Sequence, residues 1–293
     1  MADPTRIMES GLPGQDMRKA LRVVDRNRPL LDRAQSQCYR QIEGKDLAAH
    51  IFLPPNWSPR DMRPLMIFFH GSLWDRGLVS QFAPQALYFA ERGLITILFE
   101  YRLPGADGVD AMDSLEDIGE AHRWTSGHAG ILGGDPGRII MAGASAGAWM
   151  AMVRTLDLAG KKAADRDHPP PAALVLFEPI CEISLKQPWG IRFADQNAVK
   201  RLAPRKMLVK GVPPAMFFHG SIDPVVPIGP TAKLAKDWKS KNPLSAFVRY
   251  EGAGHGFYNF NVDMRLYENT LNATDAFLVG LGHLEPGDGL VAL

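Results

Sequence analysis

Short apolar runs without alternation recur along the chain, at 65–69, 94–99, 139–142, 173–177, 215–218 and 246–250. A strand with one wet face alternates apolar and polar side chains, whereas an unbroken run has both faces covered. That is the condition of a strand in a parallel sheet lying between helices. Stretches with helical signals fall between the runs: 84–92, stopped by Gly93; 113–126, with Asp113 placed as an N-cap and Glu116 as its N3 partner; 146–158; 231–239; and 265–281. The alternation predicts an α/β fold with an open, mostly parallel central sheet and helices on both faces.

Ahead of the first buried run, two extended stretches between Tyr39 and Leu53 flank the turn-like tetrad Glu43-Gly44-Lys45-Asp46, and Pro54-Pro55 ends the second. They predict an antiparallel N-terminal hairpin at one edge of the sheet. Further upstream, Met17, Leu21 and Val24 recur at helical spacing among Arg18, Arg22 and Arg26, so residues 1–38 read as a helical extension. Residues 39–293 read as a single domain, because no low-complexity or Pro/Gly-rich linker divides them.

Composition narrows the partners. A hydrophobic content of 46%, a charged content of 22% and a formal net charge of +1 describe an ordinary globular chain. No global field and no Lys/Arg run is present to attract nucleic acid or an anionic surface, so the expected partner is a small molecule. Cys38 and Cys181 read as plain buried thiols. The N-terminus has no apolar core of signal-peptide length and no later stretch could span a bilayer, which gives an expectation of a cytoplasmic protein. A homodimer is compatible with the sequence, although no association seam is legible in it.

In open parallel sheets the reactive groups gather outside the carboxyl ends of the strands. Directly after the run ending at Ala142 comes Gly143-Ala144-Ser145-Ala146-Gly147 and then a helix, a strand–turn–helix context for the G-x-S-x-G elbow. Ser145 is the candidate nucleophile. A serine hydroxyl needs a base within reach and a carboxylate to hold that base in the right tautomer. His255, in Gly252-Ala253-Gly254-His255-Gly256-Phe257 after the last strand-like run, is the candidate base, and His283 lies too near the C-terminus to rival it. Asp223, in Gly220-Ser221-Ile222-Asp223-Pro224, is the candidate acid, with Glu178 and Glu182 as runners-up. Asp107, Asp110, Asp113 and Asp117 read as turn and cap residues. For an oxyanion, the loop Phe68-Phe69-His70-Gly71-Ser72-Leu73-Trp74 offers the backbone N–H groups of Gly71 and Ser72, which join that of Ala146 at the start of the following helix. The letters Phe-Phe-His-Gly-Ser recur at 217–221, where they lead into Asp223; His70 and His219 both read as structural.

Taken together, His70-Gly71 with Trp74, Tyr101-Arg102-Leu103, Asp135-Pro136-Gly137-Arg138-Ile139, the 143–147 elbow, Gly220 to Pro227 and Gly254-His255-Gly256-Phe257 resemble the esterase and lipase family of α/β hydrolases, near its hormone-sensitive-lipase-like and acetyl-esterase-like groups. The likeness covers about 39–281. It implies an α/β-hydrolase fold and hydrolysis of short-chain carboxylic esters, acetyl esters of carbohydrates among them, with no metal and no organic cofactor. The family's HGGG loop keeps only its first glycine here, which bears on rate and acyl preference. Leu73, Trp74 and Phe257 are the expected pocket residues, with any cap over 181–211 a small one. The alternatives are a serine peptidase or lactonase of the same fold, and a ligand-binding protein on a hydrolase scaffold with impaired turnover.

Overall fold

A computed structural model describes residues 26–72, 77–104, 108–166, 168–183 and 188–287. Most of the N-terminal extension, with Met17, Leu21 and Val24, lies outside the described residues, as do Leu73, Trp74 and Asp107. From Arg28 to Arg33 the chain makes a 3₁₀ turn opened by a proline.

The strands are β1 (Gln35–Ile42), β2 (Lys45–Phe52), β3 (Arg63–Phe69), β4 (Ile95–Phe99), β5 (Gly134–Ala144), β6 (Ala173–Phe177), β7 (Ala215–Gly220) and β8 (Ala246–Tyr250). They form one eight-stranded sheet in the order β1-β2-β4-β3-β5-β6-β7-β8. The β1–β2 and β2–β4 pairs are antiparallel and every later pair is parallel. The helices are α1 (Ala83–Glu91), α2 (Ala111–His128), α3 (Ala146–Gly160), α4 (Gln196–Arg201), α5 (Pro204–Met207), α6 (Ile228–Lys241) and α7 (Met264–Gly280).

The unbroken runs are explained by their two coverings. Within β3, Leu65, Ile67 and Phe69 enter one core while Met66 and Phe68 enter the other. In β6, Leu174 and Leu176 face the first core and Ala173, Val175 and Phe177 the second. Ile118 of α2, Trp149 of α3 and Trp238 of α6 pack into the first core, and Phe89 of α1 and Leu278 of α7 into the second. Helices therefore cover both faces, and neither face of a central strand can carry a polar side chain without a buried partner.

Local details differ from the sequence reading. The hairpin turn is only Glu43-Gly44, with φ of 50° and 76°, and Ile42 already pairs with Lys45. A two-residue loop with both central φ values positive matches the twist of the strands it joins, which draws Lys45 and Asp46 into β2. Helix α2 starts earlier than expected. Asp110, not Asp113, is the N-cap: its carboxylate accepts from Met112 N and Asp113 N, and the Asp113 carboxylate accepts from Asp110 N in return. Acidic residues at 110, 113 and 116 offer two registers for the same capping box. The earlier one frees Glu116 to pair with Arg40 and Arg102. Cys181 is buried but Cys38 is exposed, because β1 is an edge strand. Between β6 and β7 the described residues form a 3₁₀ turn, Pro188–Arg192, and the short helices α4 and α5. Among the described residues no helix is long and apolar enough to cross a membrane.

Candidate active site

The carboxyl ends of β5, β6, β7 and β8 lie side by side, with Ala144 opposite Phe177, Phe177 opposite Phe218 and Gly220 opposite Tyr250. The residues that follow these strands are the ones with chemistry to offer: Ser145, Glu178, Asp223 and His255.

Ser145 joins β5 to α3 with φ 51° and ψ −113°, a conformation that costs a non-glycine residue on the order of 1–3 kcal/mol. Its surroundings over-determine it. Ser145 N donates to Phe177 O at 2.9 Å, and Ser145 O accepts from Trp149 N at 3.1 Å as the first turn of α3 closes. The turn is tight enough to need both flanking glycines: a Cβ on Gly143 would lie 2.7 Å from the Gly147 carbonyl, and one on Gly147 would collide with the carbonyl oxygens of Phe69 and His70. The Ser145 hydroxyl is buried and makes no hydrogen bond. Apo hydroxyls of this kind commonly acquire a good partner only when substrate is bound.

His255 Nδ1 lies 2.7 Å from Asp223 Oδ2 and is partly exposed, while the Asp223 side chain is fully buried. Asp223 Oδ1 accepts from Val225 N and Val226 N, at 2.8 and 2.9 Å. His219, fully buried, donates Nε2–H to Val226 O at 2.8 Å and sits 3.4 Å from Asp223 Oδ2. Burial alone would raise the Asp223 pKa, but hydrogen bonds from His219, His255 and Val226 N hold it well below the usual carboxylate range. The anion therefore persists at any working pH and holds the proton of the imidazole on Nδ1, leaving Nε2 as the acceptor.

A second carboxylate touches the same ring nitrogen. Glu178 Oε2 is 3.1 Å from His255 Nδ1 and accepts from Gly256 N at 2.7 Å, and the Glu178 side chain is fully buried. Burial pushes its pKa up to about 7, and the positive charge on His255 only partly restrains that rise. On His255 the balance runs the other way. Burial lowers its pKa, but the charge of Glu178 and the hydrogen bond to Asp223 outweigh it and raise the value to about 9. Among the described residues, Glu178, Asp223 and His255 are the group of His, Cys, Asp or Glu compact enough to consider for a metal ion. Their atoms are already at hydrogen-bonding distances from one another and from Gly256 N, so the cluster reads as one that shares protons.

On the oxyanion side, Ser72 and Ala146 are buried, and Ala146 opens α3, where the first N–H groups have no intrahelical acceptor. Gly71 departs from the sequence reading: its N–H donates to Gln81 Oε1 at 2.7 Å and is committed there. Gln81 in turn donates to Tyr258 OH at 3.0 Å and Asn259 Oδ1 at 3.1 Å, tying the loop after β3 to the loop that carries His255. A glutamine in a 3₁₀ turn ten residues past a motif leaves no sequence signal, and it was not anticipated. His70 has the structural role expected of it. Its ring stacks on Tyr101 at 4.2 Å and pairs through Nδ1 with Gly71 O, and burial lowers its pKa to about 4, which keeps it neutral. Phe257, expected in the pocket, is instead buried in the second core, tilted against Tyr250 with ring centroids 4.6 Å apart and edge-on to Tyr258. The turn at Gly256, with φ 82°, directs the ring inward.

Known proteins share this architecture. The family model described as BD-FAE matches residues 50–169. Esterase 2 of Thermogutta terrifontis, solved with propionate bound, is 32% identical, covers 88% of this chain and 97% of its own, and superposes with a TM-score of 0.78. The same esterase phosphorylated by paraoxon gives 31% identity, 88% and 97% coverage and a TM-score of 0.78. Carboxylesterase NlhH of Mycobacterium tuberculosis is 27% identical over 206 residues, spanning 61% of this chain and 62% of that protein.

Proposed function

Because the chain belongs to the esterases of the α/β-hydrolase superfamily, we propose that it hydrolyses short-chain carboxylic esters through an acyl-enzyme on Ser145. The observation that carries the reading is the strained elbow: a serine held at φ 51° with no hydrogen bond to its hydroxyl, on the same sheet edge as an imidazole fixed 2.7 Å from a buried carboxylate. The energetic cost of that conformation has no structural return and makes sense as the presentation of a nucleophile.

In the proposed mechanism Ser145 Oγ attacks the ester carbonyl carbon while His255 Nε2 takes its proton. Asp223 holds the Nδ1–H and stabilises the imidazolium, and the N–H groups of Ala146 and Ser72 receive the oxyanion. The alkoxide leaves with the proton from His255. Water then adds to the acyl group by the same base catalysis, and the acid departs as Ser145 is restored. Preference for short acyl groups rests on the relative that was solved with propionate bound, and covalent capture at Ser145 on the relative phosphorylated by paraoxon.

Initial rates on p-nitrophenyl esters from acetate to decanoate, wild type beside Ser145→Ala, test the reading. Turnover should fall with chain length and vanish in the variant, and a fluorophosphonate should label only the wild type. Ligand binding by a folded wild type that neither hydrolyses esters nor accepts the label would move the assignment to a binding protein on a hydrolase scaffold.

A further inference from the structure

One carboxylate, Asp223, is enough to orient His255, yet the ring nitrogen faces two. We infer that Glu178 is a second positioning residue for His255, a carboxylate that stands 3.1 Å from the same Nδ1 that Asp223 holds and governs how readily the imidazole gives up its charge; the inference rests on the esterase reading of this site.

The geometry carries it. Glu178 leaves β6 with φ 47°, a left-handed conformation that a non-glycine residue rarely adopts, while its N–H still donates to Phe218 O at 2.8 Å. That turn swings the carboxylate across the end of β7 to the loop after β8, where Oε2 meets both Gly256 N and His255 Nδ1. Its other oxygen, Oε1, is buried without a hydrogen-bond partner. A fully buried carboxylate with an unused oxygen is expensive, and packing alone would favour an apolar residue there. The titratable groups that face it come from each neighbouring element: His219 of β7, Asp223 of the loop beyond, and His255 and Tyr258 of the loop after β8.

Asp223 and Glu178 are not equivalent. Asp223 is fixed as an anion by Val225 N, Val226 N and His219. Glu178 has only Gly256 N and the imidazole, so it is the member of the pair that takes up a proton more readily. With Glu178 ionised, the imidazolium faces two anions and is stabilised, so the ring is a stronger base. With Glu178 protonated, it faces one and releases its proton sooner. Proton gain at Glu178 thus offsets proton loss at His255, and the pair titrates as a unit.

Two experiments on the full chain decide it. The first follows the His255 ring by NMR through a pH titration, which needs no turnover. Glu178→Gln, which keeps the side chain's shape, should lower the His255 midpoint by at least about one pH unit, and the acid limb of the kcat/KM profile should move down with it. The second compares Asp223→Asn with Asp223→Asn/Glu178→Gln. Where a site has a single carboxylate, such an amide substitution costs on the order of 10⁴-fold. Here the single variant should lose only about 10²-fold, because Glu178 still selects the tautomer, and the double variant should lose the rest. An unmoved His255 midpoint, or a single variant as impaired as the double, would overturn the inference. If Glu178→Gln fails to fold, the size of the Asp223→Asn loss still decides. A wild type inert toward every ester but with the expected midpoint shift would sink the esterase reading and leave the coupling of Glu178 to His255 standing.

Discussion

Gly147→Ala puts the elbow under a direct test. A Cβ at this position would lie 2.8 Å from the Phe69 carbonyl carbon and closer still to the oxygens of Phe69 and His70, all of them backbone atoms at the end of β3. No rotamer change relieves a clash with backbone, so α3 must move away from β3 by about an ångström before the contact becomes an ordinary one. Overfilling a packed core costs about 1–3 kcal/mol, and the top of that range applies here because the carboxyl-terminal halves of β3 and β5 are buried. The same movement separates Ala146 N–H from the Gly71–Ser72 loop, which follows those two carbonyls in the chain. A misplacement of about 1 Å at a reacting centre costs on the order of 10²-fold in rate. Urea unfolding should therefore show a loss of about 3 kcal/mol, and p-nitrophenyl butyrate hydrolysis a kcat about 100-fold lower with KM little changed. Gly160→Ala, at the end of the same helix with nothing within 4 Å of the added carbon, is the control. It should cost nothing and can gain about 0.5 kcal/mol. A Gly147→Ala protein within twofold of wild-type kcat and as stable as the control would refute the claim that this contact sets the elbow.

Other outcomes follow from the same geometry. Ser145→Ala deletes a buried hydroxyl with no partner, so the inactive variant should be more stable than wild type by about 1 kcal/mol in urea unfolding; a loss of stability would mean that the hydroxyl is hydrogen-bonded in solution. The acid limb of the kcat/KM profile should have its midpoint above 6.5, because the base must be neutral and its neighbours raise it; a midpoint at or below 6.5 would contradict the charge balance described for His255. Asp117→Ala should cost about 3 kcal/mol in urea unfolding, since the buried Asp117 carboxylate receives Arg40 Nη1 at 2.6 Å and Arg102 Nε at 2.9 Å and its removal leaves two largely buried cations with only the more exposed Glu116 and, for Arg102, Asp113 as partners; a loss below about 1 kcal/mol would show that those partners compensate.

The sheet was legible because burial on both faces writes itself into consecutive residues: the run at 173–177 coincides with β6 and the run at 215–218 falls within β7. Helix starts were less legible wherever capping residues repeat, as at Asp110, Asp113 and Glu116, since each register satisfies the same hydrogen bonds locally and only the loop from β4 chooses between them. Ser145, Asp223 and His255 stood out as candidates because each sits in a turn that follows a recognisable strand. The role of Glu178 was only half visible. Its place after β6 made it a rival to Asp223, and the sequence has no way to show that two residues from different strand ends meet one nitrogen. Gln81 and the inward turn of Phe257 depend wholly on packing between the loops after β3 and β8, which are almost 180 residues apart.

Those distant loops are joined at the site by packing and by hydrogen bonds. Each functional side chain is borne by the end of a different strand, and the strands are locked by apolar packing on both faces, so none can drift without disturbing a whole layer. Polar ties then join the loops to one another: Gln81 links the Gly71 loop to Tyr258 and Asn259, and Gln85 reaches Tyr258 O. Asn259 Nδ2 closes back on Gly256 O, beside the N–H that Glu178 accepts. The proposed oxyanion loop and the imidazole are thus held to a common frame, with the Gly71 N–H given up to build it. In the proposed site the Gln81 bridge therefore ties down Gly71, the residue before the Ser72 donor, from the loop that carries His255.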